Sequence, residues 1–207
     1  MATEVLTGYT EVDATSSLTV AASSVTASTV DRNETDYVYK DAGASHFGDF
    51  THYLKINTSS CAALGVVVWW GIATSVNHAQ AWTDAIFISS YGESSKAGLY
   101  LQAITGAKCS AGYLCTLGTD YYLKIVRAGS NVTCYVYSDS GMTNLLSTQT
   151  ITGVTTTAYR YIYAFASYND AASSKAVSTV VSNLDLNEVT QSVVPLLMSQ
   201  YRRRWAG

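Results

Sequence analysis

Residues 118–139 contain two segments of alternating polar and apolar side chains joined by a polar turn. The stretch reads GTDYYLKIVRAGSNVTCYVYSD, and Tyr121, Leu123 and Ile125 would share one face of its first half. The AGSN linker contains Gly and Asn, which adopt positive φ most readily. This pattern predicts a β-hairpin with one apolar face. Because an isolated hairpin is marginally stable in water, other strands must cover that face.

The rest of the chain favours strands over helices. The 207 residues include one proline, and 13% of them are charged. About a dozen β-prone segments follow one another at regular spacing, which predicts a two-sheet antiparallel sandwich over residues 17–187. The apolar run at residues 61–76 has no helical stripe and is typical of a strand buried on both faces. Simple alternation would place Trp69 and Trp70 on opposite sides of that strand.

Both ends differ in composition from the sandwich. Residues 1–16 predict a polar N-terminal arm, and residues 188–207 a short helical or extended tail that contains the only proline, Pro195. An apolar stripe recurring every four residues is costly to expose, so we expect the tail to anchor the protein on another surface. The anchoring residues would be Leu197, Tyr201, Arg202, Arg203, Arg204 and Trp205.

Charge and hydropathy exclude several classes of partner. The net charge is −3 although three arginines stand together near the C-terminus, so the rest of the chain is more acidic still. An acidic body argues against nucleic-acid binding. We find neither a Sec-type signal peptide nor an apolar run of the roughly 18 residues that a membrane span needs. Free thiols are expected for a protein made in a cytoplasm, although a Cys109–Cys115 bridge stays open.

Several local phrases resemble one superfamily. The chain resembles the concanavalin A-like lectin/glucanase superfamily, in its laminin-G-like branch, in three segments. These are YYLKIVR and NVTCYVYSD in the hairpin and VSNLDL at residues 181–186. The resemblance covers most of residues 15–187 and implies an antiparallel jelly-roll sandwich. The phrases TEVD at residues 10–13 and YVYKD at residues 37–41 also resemble uncharacterised structural proteins of bacteriophages.

The resemblance does not extend to the catalytic pattern of the glucanases. Those enzymes carry E-x-D-x-x-E or a near variant on one strand, which sets two carboxylates about 5–5.5 Å apart. The glutamates of this chain lack that spacing, and its histidines are scattered: Glu4, Glu11, Glu34, Glu93, Glu188, His46, His52 and His78. We therefore expect no catalytic residues and a protein that is not an enzyme.

A glycan site is the second hypothesis. Sugar rings stack on aromatic faces while nearby amides and carboxylates bind the hydroxyls. Trp82 falls in a predicted loop beside Asn77, His78 and Asp84. Further rings would come from Tyr91, Tyr113 and Tyr168. No cofactor or metal is predicted. Calcium occurs in the superfamily, but nothing compels a site at the loop residues Asp139, Asn169 and Asp170.

These observations lead to two functional predictions. We expect first a structural protein of a phage particle, a capsid decoration or surface appendage protein located in the virion. Its partners would be other virion proteins such as the major capsid protein, or further copies of itself. The alternative is a carbohydrate-binding module that recognises cell-surface or polysaccharide glycans. Neither reading involves a membrane.

Overall fold

The computed structural model of the protein describes residues 3–93 and 95–188, which form an antiparallel β-sandwich. Two 3-10 turns, Leu6–Gly8 and Ala79–Ala81, accompany the strands. The strands are β1 (Thr10–Val12), β2 (Leu18–Ala21), β3 (Ser24–Val30), β4 (Tyr37–Asp41), β5 (Phe50–Cys61), β6 (Val67–Ala73), β7 (Ala85–Glu93), β8 (Lys96–Ala103), β9 (Lys108–Cys109), β10 (Tyr113–Thr116), β11 (Asp120–Ala128), β12 (Asn131–Tyr137), β13 (Leu145–Thr152), β14 (Tyr161–Ser167) and β15 (Val177–Glu188).

The strands form two sheets with long-range connections. Sheet A has the order β1-β4-β14-β6-β7-β8-β10, with β9 paired to β8, and sheet B has the order β13-β12-β11-β5-β15-β3-β2. The predicted all-β, two-sheet antiparallel jelly roll is confirmed. The tail predicted after β15 lies outside the described residues. Within them, no helix has the length and apolar character needed to cross a membrane.

The hairpin predicted from residues 118–139 lies near the middle of sheet B. Strands β11 and β12 pair antiparallel, with Ile125 opposite Cys134, and β11 also pairs with β5. Leu123 and Ile125 are fully buried between the two sheets, as are Cys134 and Val136. Burial of these apolar side chains stabilises the packing of the hairpin against sheet A, by about 25 cal/mol for each Å² of apolar surface removed from water.

Two β-bulges decide which side chains of sheet A reach the interior. Trp69 is an extra residue relative to β7, and Ala164 is an extra residue relative to β4. Trp69 and Trp70 are therefore both fully buried between the sheets, and so is Phe165. The prediction that the two indoles lie on opposite sides was wrong, because a bulge adds one residue and interrupts the alternation.

A second, smaller apolar cluster covers part of the outer face of sheet A. The segment of residues 74–84 folds back over β6 and β14 and buries Trp82 there. The cluster consists of Val68, Ala73, Ala79, Trp82, Ala85, Phe87, Tyr163 and Ala166. It thickens sheet A on one side and leaves the rest of its outer face accessible.

The residues predicted to form an N-terminal arm pack on the sandwich from position 4 onward. Leu6 is fully buried, the Glu4 N–H donates to the Leu184 carbonyl at 2.7 Å, and β1 pairs with β4. Asp36, itself buried, accepts hydrogen bonds from the Ala14 N–H and the Ser17 hydroxyl, which fixes the following turn. The division of the chain at residues 16 and 187 stays a prediction.

Candidate functional site

The expected stacking platform at Trp82 is not accessible. Only 4% of this residue is exposed. Its ring packs against those of Tyr163 and Phe87, with centroids 4.7 and 5.6 Å away, and its indole N–H donates to the Asn77 carbonyl at 2.9 Å. Gly71 makes room for it, since a Cβ there would meet the Trp82 ring at 3.1 Å. The tryptophan therefore fastens residues 74–84 to sheet A.

The polar residues predicted around Trp82 take separate positions. Asn77 and His78 adjoin Trp82 in the same segment, and the Asn77 side chain accepts from the His78 N–H at 2.9 Å. Partial burial lowers the pKa of His78, which keeps this ring neutral. Asp84 instead accepts hydrogen bonds from the Thr105 hydroxyl at 2.7 Å and the Tyr159 hydroxyl at 3.0 Å. The structure thus brings together three of the five predicted site residues, but as a packed loop.

Tyr91, the fifth predicted residue, lines a groove on the outer face of sheet A. This groove, which we call the sheet A groove, has a volume of about 350 Å³. That size is within the roughly 300–1,000 Å³ typical of small-molecule sites. Its walls combine aromatic, hydroxyl, amide and guanidinium groups. They are Arg32, Val66, Phe87, Ser89, Ser90, Tyr91, Tyr100, Gln102, Cys109 and Tyr168.

Strand alternation and a close glycine position the aromatic rings of the groove. Tyr100 and Gln102 project outward from β8 while Leu99 and Leu101 point into the core. The Tyr91 and Tyr100 rings meet edge to face with centroids 6.4 Å apart. Gly112, at φ +83°, allows this arrangement, because a Cβ there would lie 2.5 Å from the Tyr100 ring.

Hydrogen bonds hold the polar groups of the groove in place. The Tyr100 hydroxyl donates to Glu93 Oε1 at 2.7 Å, which raises the pKa of Tyr100 to about 12. Arg32 forms an ion pair with Asp170, and its guanidinium lies 5.5 Å from the centre of the Tyr168 ring. At neutral pH the groove therefore presents a protonated phenol and a fixed cation.

A second hollow continues the groove toward the Trp82 segment. It has a volume of about 370 Å³ and shares Phe87, Gln102, Cys109 and Tyr168 with the sheet A groove. Lys108 adds an ammonium group at its far end. The two hollows therefore adjoin on the outer face of sheet A and have aromatic and amide walls in common.

Metal binding finds little support in the part of the chain that the structure describes. That part contains no group of three or more His, Cys, Asp or Glu side chains placed to hold a metal ion. Asp139 accepts from the Thr143 and Asn144 N–H groups, Asp170 pairs with Arg32, and Asn169 donates to Thr35. All four cysteines lie in the described ranges and are free, with Cys109 exposed at the groove.

Sequence reasoning missed most of the groove, because its residues come from distant segments. Arg32, Tyr100 and Gln102 were not singled out, although outward Tyr and Gln on an otherwise apolar strand are a detectable signal. Tyr168 was named and lines the groove, whereas Tyr113 packs against Tyr121 with ring centroids 5.9 Å apart. The anchoring residues predicted in the tail lie outside the described ranges: Leu197, Tyr201, Arg202, Arg203, Arg204 and Trp205.

No family model and no curated protein matches this chain. Solved structures do match. A functionally unknown protein from Saccharomyces cerevisiae superposes with a TM-score of 0.57 at 14% identity, covering 90% of this chain and 98% of that one. The exoplasmic/lumenal domain of VIP36 in its Ca²⁺/Man3GlcNAc-bound form gives 0.55 at 13%, covering 90% and 85%. An alginate lyase from Alteromonas sp. 272 gives 0.54 at 8%, covering 86% and 93%.

These matches define the fold of the protein. The predicted concanavalin A-like fold is confirmed, and it is a lectin-like sandwich. At such low identities the likeness concerns architecture alone. The phage context and the virion location stay predictions.

The prediction that the protein is not an enzyme was wrong in its reasoning. The lack of E-x-D-x-x-E excludes one pair of catalytic carboxylates, whereas an alginate lyase has the same fold. An enzyme thus shares this architecture, and absence of the glucanase pattern does not separate a binding module from an enzyme.

Proposed function

We propose that the protein binds carbohydrate in the sheet A groove. The observation that carries this proposal is a depression lined by Tyr91, Tyr100 and Tyr168 together with amide, hydroxyl and guanidinium groups. Aromatic faces take up the apolar faces of sugar rings, and polar groups beside them bind the ring hydroxyls.

Each wall of the groove has a defined part in binding. Tyr91, which is 37% exposed, would provide the accessible ring, while Tyr100 supports it from the side. Gln102 offers both a donor and an acceptor to sugar hydroxyls. Arg32 is fixed by Asp170 and would donate to a hydroxyl or carboxylate without losing side-chain freedom on binding.

The fold comparisons support a saccharide as ligand. VIP36 was solved with Man3GlcNAc, and the Alteromonas protein is named for alginate. These ligands belong to those proteins, but they make Man3GlcNAc and alginate the first two probes. Lys108 favours the acidic polymer, and the tyrosines suit either one.

Calorimetric titration with both probes tests the proposal. We expect Tyr91→Ala to weaken binding at least tenfold, because it removes the most exposed ring of the groove. Leu145→Ala, an exposed apolar truncation on sheet B, is the matched control and should bind normally. Equal affinity of the Tyr91 variant and the control, or failure of a broad glycan array to bind wild-type protein, would contradict a saccharide site here.

The same samples test for turnover. Cleavage of alginate by β-elimination leaves one unsaturated sugar, at the new non-reducing end, and an ordinary reducing end on the other fragment; the unsaturated sugar is detected by its ultraviolet absorbance. Tyr100 and Arg32 are the residues whose variants should reduce such an activity first, because their polar atoms face the groove. Binding without turnover would leave the carbohydrate proposal intact and identify a module.

A place in a phage particle is a second proposal. It is supported by the phage-like phrases at residues 10–13 and 37–41 and by the apolar and basic pattern of residues 188–207. A carbohydrate-binding appendage would combine both readings. Deleting residues 189–207 should leave a folded sandwich that no longer associates with its partner, measured by light scattering. Undiminished association would remove the argument from the tail.

A further inference from the structure

A second groove lies on the opposite side of the sandwich, on the outer face of sheet B. It has a volume of about 430 Å³ and crosses strands β12, β11, β5 and β15. We call it the sheet B groove. We propose that it is a separate carbohydrate site, specific for neutral sugars, so that the protein presents a saccharide-binding surface on each face.

Strand register arranges tyrosines and lysines alternately over this face. Lys124 stands between Tyr135 on β12 and Tyr53 on β5, and Tyr122 stands between Tyr137 and Lys55 in the next row. These residues are all partly exposed, whereas their strand neighbours are buried between the sheets. The sheet geometry thus builds a platform of aromatic rings that is interrupted by two ammonium groups.

Polar groups of opposite character flank Tyr53. Lys124 lies directly across from it on β11, and Asp185 lies directly across from it on β15. Lys124 forms no ion pair with any described residue. Asp185 is 6% exposed, and its carboxylate accepts from the Asn187 amide at 3.1 Å. Beside the Tyr53 ring, Lys124 thus offers a donor to a sugar hydroxyl, and the mostly buried Asp185 contributes a negative charge to the lining of the groove.

The charges of the groove favour a neutral ligand. Lys55 is neutralised by Asp120 at 3.2 Å, and Asp185 balances Lys124 within the same groove. An anionic polymer would meet no net positive field, and a cationic one would meet no net negative field. Neutral hydroxyl groups can accept from the Lys124 ammonium and donate to the Asp185 carboxylate.

A locked loop forms one wall of the sheet B groove. Residues 138–144 turn tightly around Asp139, which accepts from the Asn144 N–H at 2.7 Å and from the Thr143 hydroxyl at 3.0 Å. These bonds hold the pKa of Asp139 below its usual range. Met142, at φ +53°, lines the groove from this loop. A preformed wall lowers the entropy cost of binding.

Four proteins on one array of neutral and acidic oligosaccharides test the proposal: wild type, Tyr53→Ala, Tyr91→Ala and the double variant. Each single variant truncates one partly exposed tyrosine on one face and is the matched control for the other. We expect one set of neutral glycans to lose at least tenfold in affinity in the Tyr53 variant and to be unaffected in the Tyr91 variant. Lys124→Met should weaken the same set, which provides a second probe if Tyr53→Ala folds poorly.

The outcomes separate this inference from the proposed function. Signals lost only in the Tyr91 variant would overturn the second site and leave the first intact. Signals lost only in the Tyr53 variant would support the second site and overturn the first. Binding through Tyr53 and Lys124 restricted to acidic glycans would overturn the neutral specificity.

Discussion

Trp82 is a buried packing residue in the structure, whereas the sequence predicted an exposed residue that binds sugar. Replacing it by alanine removes a side chain that is almost fully buried on the outer face of sheet A. A buried tryptophan covers about 150–250 Å², which at about 25 cal/mol per Å² gives about 4–6 kcal/mol as an upper bound. Measured Trp→Ala costs are about 3–5 kcal/mol. We therefore expect Trp82→Ala to lower the free energy of unfolding by about 3–5 kcal/mol.

The assay is urea denaturation followed by far-ultraviolet circular dichroism, because Trp69 and Trp70 also contribute to the fluorescence. In a thermal melt followed by the same signal, each kcal/mol shifts the Tm of a domain of this size by about 2–4 °C, so the expected drop is about 6–20 °C. Trp82→Phe keeps an aromatic ring against Tyr163 and Phe87 and should lose less than half as much. Both variants are compared with wild type at equal protein concentration.

The result that would refute this reasoning is specific. If Trp82→Ala kept the stability of wild type while losing saccharide affinity, the indole would be an accessible surface for sugar stacking and would not hold residues 74–84 on sheet A. Lost stability with retained binding to the sheet A groove is what burial predicts.

Three further perturbations test other contacts. Arg127 is 2% exposed and donates to the carbonyls of Phe47, Thr155 and Thr157. Arg127→Met should therefore lower the free energy of unfolding in urea by about 3–5 kcal/mol. An unchanged urea midpoint would contradict a stabilising role for these hydrogen bonds. Burial lowers the pKa of His52, so the unfolded chain takes up a proton near pH 6.5 that the folded chain does not. The free energy of unfolding should therefore fall as the pH drops below about 6.5. His52→Phe should reduce this pH dependence, measured from unfolding curves at pH 5 and pH 8. Asp139→Ala should weaken neutral-glycan binding several-fold by calorimetry without affecting the sheet A groove, whereas equal losses at both would indicate a general folding defect.

The hairpin was predictable because every local signal agrees. Alternation, turn residues and strand propensity all indicate the same pairing, and β11 and β12 lie within the predicted residues 118–139. The two-sheet class followed from strand number and from the lack of helical periodicity. These properties are local or compositional, so a single sequence contains them.

The errors came from features that alternation does not encode. Bulges at Trp69 and Ala164 moved side chains to the other face of sheet A, and no local signal in the sequence marked them. The segment around Trp82 looked like an exposed loop because its fold depends on Gly71 and Tyr163, which are distant in sequence. The sheet A groove combines Arg32 with Tyr168 through tertiary pairing alone. Prediction from one sequence therefore reached the scaffold and, of the groove, only Tyr91 and Tyr168.

The two bulges of sheet A also limit how this sequence can change. Strands β6 and β14 keep one continuous register with each other, while each is displaced by one residue against its outer neighbour. Deleting Trp69 alone would shift β6 against β14 and turn the remaining side chains toward the wrong layer. A matching deletion of Ala164 would restore the pairing. Insertions and deletions in these strands should therefore occur in pairs among descendants of this chain, because a paired change preserves the register between β6 and β14.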